Sequence, residues 1–409
     1  MTRSTLQNKT DIKRVAIIIT GGNIFIPKGL INACINRARF LMDIADYQIN
    51  VFNVKYEYCP WNFKKWLSAK HQEDIVVGTT KVRILWKREY FSSNWVIRKI
   101  LKVYYRLFKK KVSSWDWEWL QEYVHYFRNY NLLSTHSDLG AKIGMKVKEK
   151  YGIPFVVTWH GSDIHTSPFE NEAAREVAVK AMENASYNFF VSNALMAISD
   201  KLTTNAKKAV LYNGVGDEFI RFNEPRRKEL RKEFRINNGN KVIAFAGTLR
   251  EIKNADSLPD IFAAIKDKYH DNLKFWIIGN GSLEHAIREK SEALGLDCVL
   301  WGFQPIEKMP DLLNCVDVLV LPSKNEGLPL ITLEAIACGA NVVGTRVGGI
   351  PEAIGADFCV DYSEDYIPKF ADKVVELLNY PQEQFRNDCF SWEETAKKEN
   401  GFYELMLNN

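Results

Sequence analysis

The chain lacks any long apolar run, since no eighteen consecutive uncharged apolar residues occur among its 409 residues. A helix needs such a run to span a bilayer, so an integral membrane protein is not the leading expectation. The N-terminal stretch MTRSTLQNKTDIKR is polar and has no apolar segment of the kind that secretory signals carry, which argues against secretion. Seven scattered cysteines form no CxxC pair. They favour buried thiols in a reducing compartment over a zinc site or a disulfide framework.

Three common catalytic signatures are also missing. The sequence has no Ser-His-Asp order, no histidine cluster with metal-ligand spacing and no complete Walker loop. Candidate catalytic residues must therefore be found in other sequence motifs.

Charge is distributed unevenly along the chain. The net charge is +5, but residues 1–150 carry a balance of +15 and the remainder a balance of −10. Eight of the eleven tryptophans also lie in the first 160 residues. A basic, aromatic first half indicates that this half alone meets an anionic surface, either a membrane or a nucleic acid.

Short apolar runs alternate with helix-period segments, a pattern typical of parallel sheets covered by helices on both faces. Two such series predict an α/β protein with two doubly wound Rossmann-like domains. We expect the first domain at 1–214 and the second at 215–390. A helix is predicted at 392–407, and the segment 391–409 is expected to return to the first domain.

The most informative stretch surrounds Glu326 and Glu334. A buried strand ends at Pro322, a polar loop follows, and a helix is predicted to begin near Leu328–Pro329, because proline is favoured in a first helical turn. Free N–H groups at such a helix start suit a phosphate, and a carboxylate can accept hydrogen bonds from two vicinal hydroxyls. The alternative is that both glutamates are ordinary solvated helix acids.

Three further strand ends in the second half contribute candidates. In FAGTLREIKN, Gly247 permits a tight turn beside Arg250 and Lys253, two cations that could neutralise a diphosphate leaving group. Taken alone, such surface cations are usually just solvated. WIIGNGS ends a strand at Gly279, and Trp301-Gly302-Phe303 allows backbone to approach a flat ring.

In the first half, an apolar strand is predicted at 155–159 in FVVTWHGSDIH, and His160, which follows it, could donate to a sugar oxygen. A lone histidine is more often structural. The turn that contains Gly21 and Gly22 allows backbone to approach a ligand, or is simply a loop tip.

Taken in chain order, these residues resemble the retaining glycosyltransferases of the GT-B fold, family 4. The resemblance spans residues 14–409 and is strongest between about 155 and 355. The family's E-x7-E motif corresponds to Glu326 through Glu334. The matching segments are Gly21-Gly22, His160-Gly161-Ser162-Asp163, Tyr212-Asn213-Gly214-Val215, Gly247–Lys253, Gly279-Asn280-Gly281, Trp301-Gly302-Phe303 and the motif itself, which contains Gly327-Leu328-Pro329.

The resemblance implies two Rossmann-like domains facing a central cleft and a site with defined roles. Glu326, His160, Lys253 and Arg250 would be catalytic: Glu326 facing the donor sugar, His160 meeting its outer hydroxyl, and the two cations holding the diphosphate. Glu334 would hold the ribose hydroxyls. The other implied donor-binding residues are Gly22, Thr248, Gly279, Gly302, Gly327, Leu328 and Leu330. The family often has arginine directly after the glycine that is Gly247 here; this chain has Thr248, so Arg250 is the candidate substitute.

By the same resemblance, the chain would transfer a hexosyl or N-acetylhexosaminyl group from a UDP- or GDP-sugar to a glycan acceptor in surface polysaccharide or glycan biosynthesis. No metal or other cofactor is expected, because cations and a helix dipole can stabilise the diphosphate. One alternative is a sugar phosphorylase or a sucrose/trehalose-type synthase with a soluble acceptor. Another is a non-catalytic module that binds a membrane surface or nucleic acid, although no RNA-binding signature is present.

The segment 95–112, WVIRKILKVYYRLFKKKV, combines seven basic residues with no acidic one. Its apolar residues recur with the period of one helix face. This pattern fits either core packing or a helix lying in lipid headgroups. The second interpretation predicts a cytoplasmic enzyme held at the inner membrane face, with a lipid-linked acceptor and no nucleic-acid partner.

Overall fold

The structure is a computed structural model that describes residues 12–20, 30–59, 72–77, 80–90, 121–270, 272–384 and 388–408. The chain divides into two compact units. Unit 1 comprises Met1–Phe190, Ser199–Ala209 and Ala396–Asn409; unit 2 comprises Val191–Ile198 and Val210–Thr395. The sequence places the boundary at 214/215. Gly22 and the segment 95–112 lie outside the described residues.

Unit 1 is built on an eight-stranded sheet in the order β3-β4-β2-β1-β5-β6-β7-β8. The strands are β1 (Arg14–Thr20), β2 (Gln48–Cys59), β3 (Gln72–Val77), β4 (Thr80–Tyr90), β5 (Leu132–His136), β6 (Phe155–Trp159), β7 (Tyr187–Phe190) and β8 (Lys208–Val210). The helices are α1 (Leu30–Ile44), α2 (Gln121–Val124), α3 (Ser137–Tyr151), α4 (Ser162–His165), α5 (Ser167–Glu170) and α6 (Glu172–Asn184). The central strands are apolar and buried on both faces, as parallel strands covered by helices must be.

Unit 2 is built on a six-stranded parallel sheet in the order β11-β10-β9-β12-β13-β14. The strands are β9 (Lys241–Ala246), β10 (Leu273–Ile278), β11 (Cys298–Gly302), β12 (Val318–Leu321), β13 (Asn341–Thr345) and β14 (Cys359–Val360). The helices are α7 (Asn193–Ser199), α8 (Glu224–Glu233), α9 (Leu258–Lys268), α10 (Glu284–Ala293), α11 (Met309–Leu313), α12 (Leu330–Ala337), α13 (Ile350–Ile354) and α14 (Tyr366–Asn379). Strand order reverses between β9 and β12, which is where sheets of this kind bind ligands.

The predicted α/β class with two Rossmann-like sheets is confirmed. The strand predicted at 155–159 and the helix predicted at 392–407 agree with the structure at both ends. The strand β3 is not predicted from the sequence. It pairs antiparallel with β4 at the edge of the sheet, where Asp74 lies opposite Arg83 and accepts a hydrogen bond of 2.7 Å from its Nε. Edge strands carry charges that obscure the apolar pattern.

The last helix, α15 (Trp392–Leu407), returns to unit 1 as predicted. Its Phe402 ring packs at 4.8 Å from Tyr187 and 5.2 Å from Phe189. Its Glu399 forms an ion pair of 2.8 Å with Arg37 of α1, and both side chains are 1% exposed. The C-terminal segment is thus part of the core of unit 1. None of the helices in the described ranges is both long enough and apolar enough to cross a bilayer.

The Arg37–Glu399 pair predicts a large stability effect. Replacing Arg37 by Met leaves a buried carboxylate unpaired, so the free energy of unfolding should fall by about 3–5 kcal/mol. Urea unfolding of the full chain, followed by circular dichroism, measures the loss. The double variant Arg37→Met/Glu399→Leu should recover most of it, because no uncompensated charge remains. A double variant as unstable as the single one would contradict this account.

Candidate functional site

The carboxyl edge of the second sheet carries a set of loops that are tied together through their backbones. Gly247 N–H, after β9, donates to the carbonyl of Ile278 at 2.9 Å, and Gly279 N–H, after β10, donates to the carbonyl of Gly302 at 2.8 Å. A Cβ atom on Gly279 would overlap the carbonyl oxygen of Gly247. Gly279 also has φ +134°, which favours glycine. Three strand ends are therefore held in direct backbone contact.

The loop after β12 is fixed to its neighbours on both sides. Lys324 N–H donates to the carbonyl of Ile252 at 2.9 Å, and Gly349 N–H, after β13, donates to the carbonyl of Glu326 at 3.3 Å. A Cβ atom on Gly348, which has φ +51°, would overlap that same carbonyl oxygen. This anchoring holds Glu326 in a defined place at the mouth of the sheet.

Glu326 and Lys253, predicted separately from the sequence, form an ion pair. Lys253 Nζ lies 2.5 Å from Glu326 Oε1, and Ser323 Oγ donates to the same oxygen at 2.7 Å. Glu326 is 8% exposed, whereas the Lys253 side chain is 26% exposed. The lysine side chain is therefore more exposed than the glutamate. Ser323 is not predicted from the sequence; its position three residues before Glu326 is the signal that could have identified it.

Arg250 lies at the start of the same loop and is exposed. Its carbonyl accepts from Lys253 N–H at 3.0 Å, so the two residues share one short turn. Thr248 is half-buried. Within the described part of the chain, the Arg250 side chain makes no hydrogen bond or ion pair, which leaves its charge available to an anion.

The helix α12 begins one residue later than expected, because Pro329 is its N-cap residue, with φ −75° and ψ 109°, and not its first helical residue. No side chain caps this end. The N–H groups of Leu330 and Ile331 have no partners within the helix, whereas Thr332 N–H donates to the carbonyl of Pro329 at 3.2 Å. Leu328 and Gly327 immediately before it are buried. This end of the helix thus presents free backbone donors and the positive end of a helix dipole.

Glu334 lies in the second turn of α12 and is half-buried. Loss of solvation, with a smaller contribution from the charge of Glu218, raises the pKa of the Glu334 carboxyl to about 8. Among the described residues its carboxyl group has no hydrogen-bond partner. A partly desolvated carboxyl without a partner is typical of a ligand-binding position.

In unit 1, His160 follows β6 and His136 ends the neighbouring strand β5. His136 Nδ1 and His160 Nε2 are 2.9 Å apart, so the two rings share one hydrogen. Burial, assisted by the charge of Arg37, lowers the pKa of His160 to about 3, and burial lowers the pKa of His136 well below its ordinary value. Both imidazoles are therefore neutral at pH 7 and suit an uncharged hydroxyl better than a phosphate.

Asp163 fixes the turn that carries His160. Its carboxylate accepts from the Gly161 N–H at 2.8 Å and from the His160 N–H at 3.3 Å. Burial raises the pKa of Asp163 to about 6. The sequence identified His160 but not His136. The signal that could have found it is the position of both histidines at the ends of adjacent parallel strands.

Comparison with known proteins agrees with the geometry of unit 2. Residues 226–398 match the family model described as Glycosyl transferases group 1. A Bacillus subtilis protein described as a candidate teichuronic acid biosynthesis glycosyltransferase, TuaC, is 28% identical over 215 residues, which cover 51% of each chain. The chain spans about half the length of the curated relatives it matches.

Solved structures share the fold over almost the whole chain. Sucrose-phosphate synthase from Thermosynechococcus elongatus has a TM-score of 0.72 at 15% identity, covering 97% of this chain and 99% of that one. The Anabaena protein HepE, in complex with UDP and glucose, has a TM-score of 0.66 at 16% identity, with coverages of 97% and 99%. The chain thus has two Rossmann-like domains of the GT-B fold, and its residues 226–398 are similar to the Glycosyl transferases group 1 family.

Proposed function

We propose that this protein is a retaining glycosyltransferase of family 4 that moves a hexosyl or N-acetylhexosaminyl group from a UDP- or GDP-sugar to a glycan acceptor. The observation that carries the proposal is the assembly of Lys253, Glu326 and the uncapped start of α12 at one edge of the second sheet. The HepE complex with UDP and glucose supports a nucleotide-sugar donor. The relative named for teichuronic acid biosynthesis supports a role in surface polysaccharide synthesis.

The leaving diphosphate is the charge that this edge must stabilise. Lys253 and Arg250 supply cations, and the first turn of α12 supplies N–H donors aligned with a helix dipole. Groups that are fixed before the reaction stabilise developing charge without reorganisation. We therefore propose that transfer proceeds without a metal ion.

Glu326 changes partner during the reaction in this proposal. In the free protein its carboxylate is bound to Lys253 and Ser323. A donor diphosphate competes for Lys253, which frees the carboxylate to orient the sugar and to stabilise positive charge at the anomeric carbon. The acceptor hydroxyl attacks from the face that the diphosphate leaves, and a donor phosphate oxygen accepts its proton. The neutral His160 suits the outer hydroxyl of the sugar, and Glu334 suits the ribose hydroxyls.

A sucrose- or trehalose-type synthase is the second candidate, because sucrose-phosphate synthase shares the fold over 97% of this chain. Such an enzyme has a small soluble acceptor. The +15 balance and the tryptophans of the first half favour an acceptor at an anionic surface instead.

Glu334→Ala and Glu326→Ala should have different effects on donor use. At a pH above about 8, where the Glu334 carboxyl is ionised, removing it should weaken donor binding by about 1.5–3 kcal/mol, because charge-assisted hydrogen bonds to ribose are lost. Removing Glu326 should mainly lower kcat. Calorimetry with UDP- and GDP-sugars and assays of nucleotide release measure both effects. Glu289→Ala, an exposed acid of α10, is the matched control. Wild-type affinity and rate in both site variants would overturn the proposal.

The raised pKa of Glu334 predicts a pH-dependent stability difference. The pKa of Glu334 is about 8 in the folded state, so the folded protein keeps a proton that the unfolded chain has already released. The free energy of unfolding therefore falls as pH rises from about 4.5 to 8. Relative to wild type, Glu334→Gln should therefore gain melting temperature steadily across that interval. Thermal scans of both proteins at each pH test this. A difference that stays constant with pH would show that Glu334 does not titrate in this way.

Activity should survive EDTA, because Lys253, Arg250 and the amides at the start of α12 can carry the diphosphate charge. The rate of nucleotide release is measured before and after dialysis against the chelator. Complete loss of activity that Mg²⁺ or Mn²⁺ restores would contradict metal-independent transfer.

We also propose that the segment 95–112 holds the enzyme at the cytoplasmic face of the membrane, next to a lipid-linked acceptor. Each Lys or Arg near an anionic leaflet contributes about 1 kcal/mol. Wild-type protein should co-sediment with liposomes that contain anionic lipid and not with neutral ones. Replacing Lys109, Lys110 and Lys111 with Glu should release it. Equal pelleting of both forms, or of neither, rejects the membrane interpretation.

A further inference from the structure

Three potential metal ligands meet in unit 1, and the proposed transfer reaction uses only one of them. Cys34 comes from α1, His136 from the end of β5 and His160 from the turn after β6. The Cys34 Sγ and the ring nitrogens of the two histidines lie within 4.8 Å of one another. Cys34 and His136 are buried, and His160 is partly exposed. The group is therefore a desolvated cluster with one accessible side.

The geometry is close to that of a three-ligand zinc site. His136 Nδ1 and His160 Nε2 face each other at 2.9 Å. Two nitrogens bound to tetrahedral Zn²⁺ at ordinary bond lengths lie about 3.3 Å apart, so the rings need to separate by only about 0.4 Å. A thiolate with two imidazoles is a donor set that zinc prefers to the hard oxygen sites of Mg²⁺ or Ca²⁺.

The surrounding charges can accommodate a cation. Arg37 is the nearby cation, and its guanidinium is paired with Glu399 at 2.8 Å. Tyr403 donates to the other oxygen of the same carboxylate at 2.5 Å. The positive charge of Arg37 is thus balanced locally, and repulsion of an incoming cation is reduced.

We propose that Cys34, His136 and His160 bind Zn²⁺, with a fourth position left open on the exposed side of His160. On binding, the Cys34 thiol releases its proton to solvent. The hydrogen that the two rings share moves to the outer nitrogen of its own ring, so each facing nitrogen donates a lone pair to the metal. When Zn²⁺ is bound, His160 can no longer contact the donor sugar, so zinc inhibits sugar transfer. This consequence alone rests on the proposed function.

Cobalt is a spectroscopic probe for this site in the full-length, metal-free protein. Wild-type protein titrated with Co²⁺ should show a thiolate-to-cobalt charge-transfer band and the visible bands of tetrahedral cobalt, and Zn²⁺ should displace them. Cys34→Ala should lose the charge-transfer band and bind Zn²⁺ at least about tenfold more weakly. Cys298→Ala, which removes a partly exposed thiol outside this cluster, is the control and should keep both properties.

His136→Gln provides a second test that does not depend on the thiol variant. It should also weaken Zn²⁺ binding, and Zn²⁺ should raise the melting temperature of wild type but of neither site variant. Equal Zn²⁺ affinity in wild type, Cys34→Ala and His136→Gln overturns the site, as does an octahedral cobalt spectrum in wild type. These readouts involve no sugar transfer. A failed donor assay would therefore overturn the proposed function and leave the metal site standing.

Discussion

Close backbone contact at the carboxyl edge of the second sheet is the constraint on which the candidate donor site depends. Side chains are excluded where Gly279 meets the carbonyl of Gly247 and where Gly348 meets the carbonyl of Glu326. Because no Cβ atom separates these loops, their N–H and C=O groups bond directly to each other. The loops that carry Lys253 and Glu326 are consequently positioned by main-chain geometry.

The two units differ in the charge of their buried titratable side chains. In unit 2, Lys253 and Ser323 both donate to the Glu326 carboxylate, while Glu334 has no such partner and burial raises its pKa to about 8. In unit 1, burial keeps His136 and His160 neutral, and they are linked by one hydrogen. The sheet edge of unit 2 therefore carries an ion pair and an acid without a partner, whereas unit 1 carries two neutral imidazoles.

The sequence predicts several of the residues at the sheet edges, because the carboxyl end of a strand can be recognised from the residues next to it. An apolar run followed by glycine and polar residues marks the carboxyl end of a strand, and parallel sheets bring such ends to one edge. That reasoning identified Lys253, Glu326 and His160. It missed β3, where charged edge residues hide the alternation, and it placed Pro329 inside α12 when the proline is the N-cap.

The sequence by itself determined the α/β class and the helix at 392–407, because hydrophobic period encodes these features, and it predicted the acids and cations of the candidate donor site from the residues that follow each strand. Only the tertiary structure decided that Lys253 and Glu326 share an ion pair, that Glu399 neutralises Arg37 and that Cys34 joins two histidines. These pairings connect residues far apart in the chain. Their distances depend on how the sheets and helices pack, which no local pattern records.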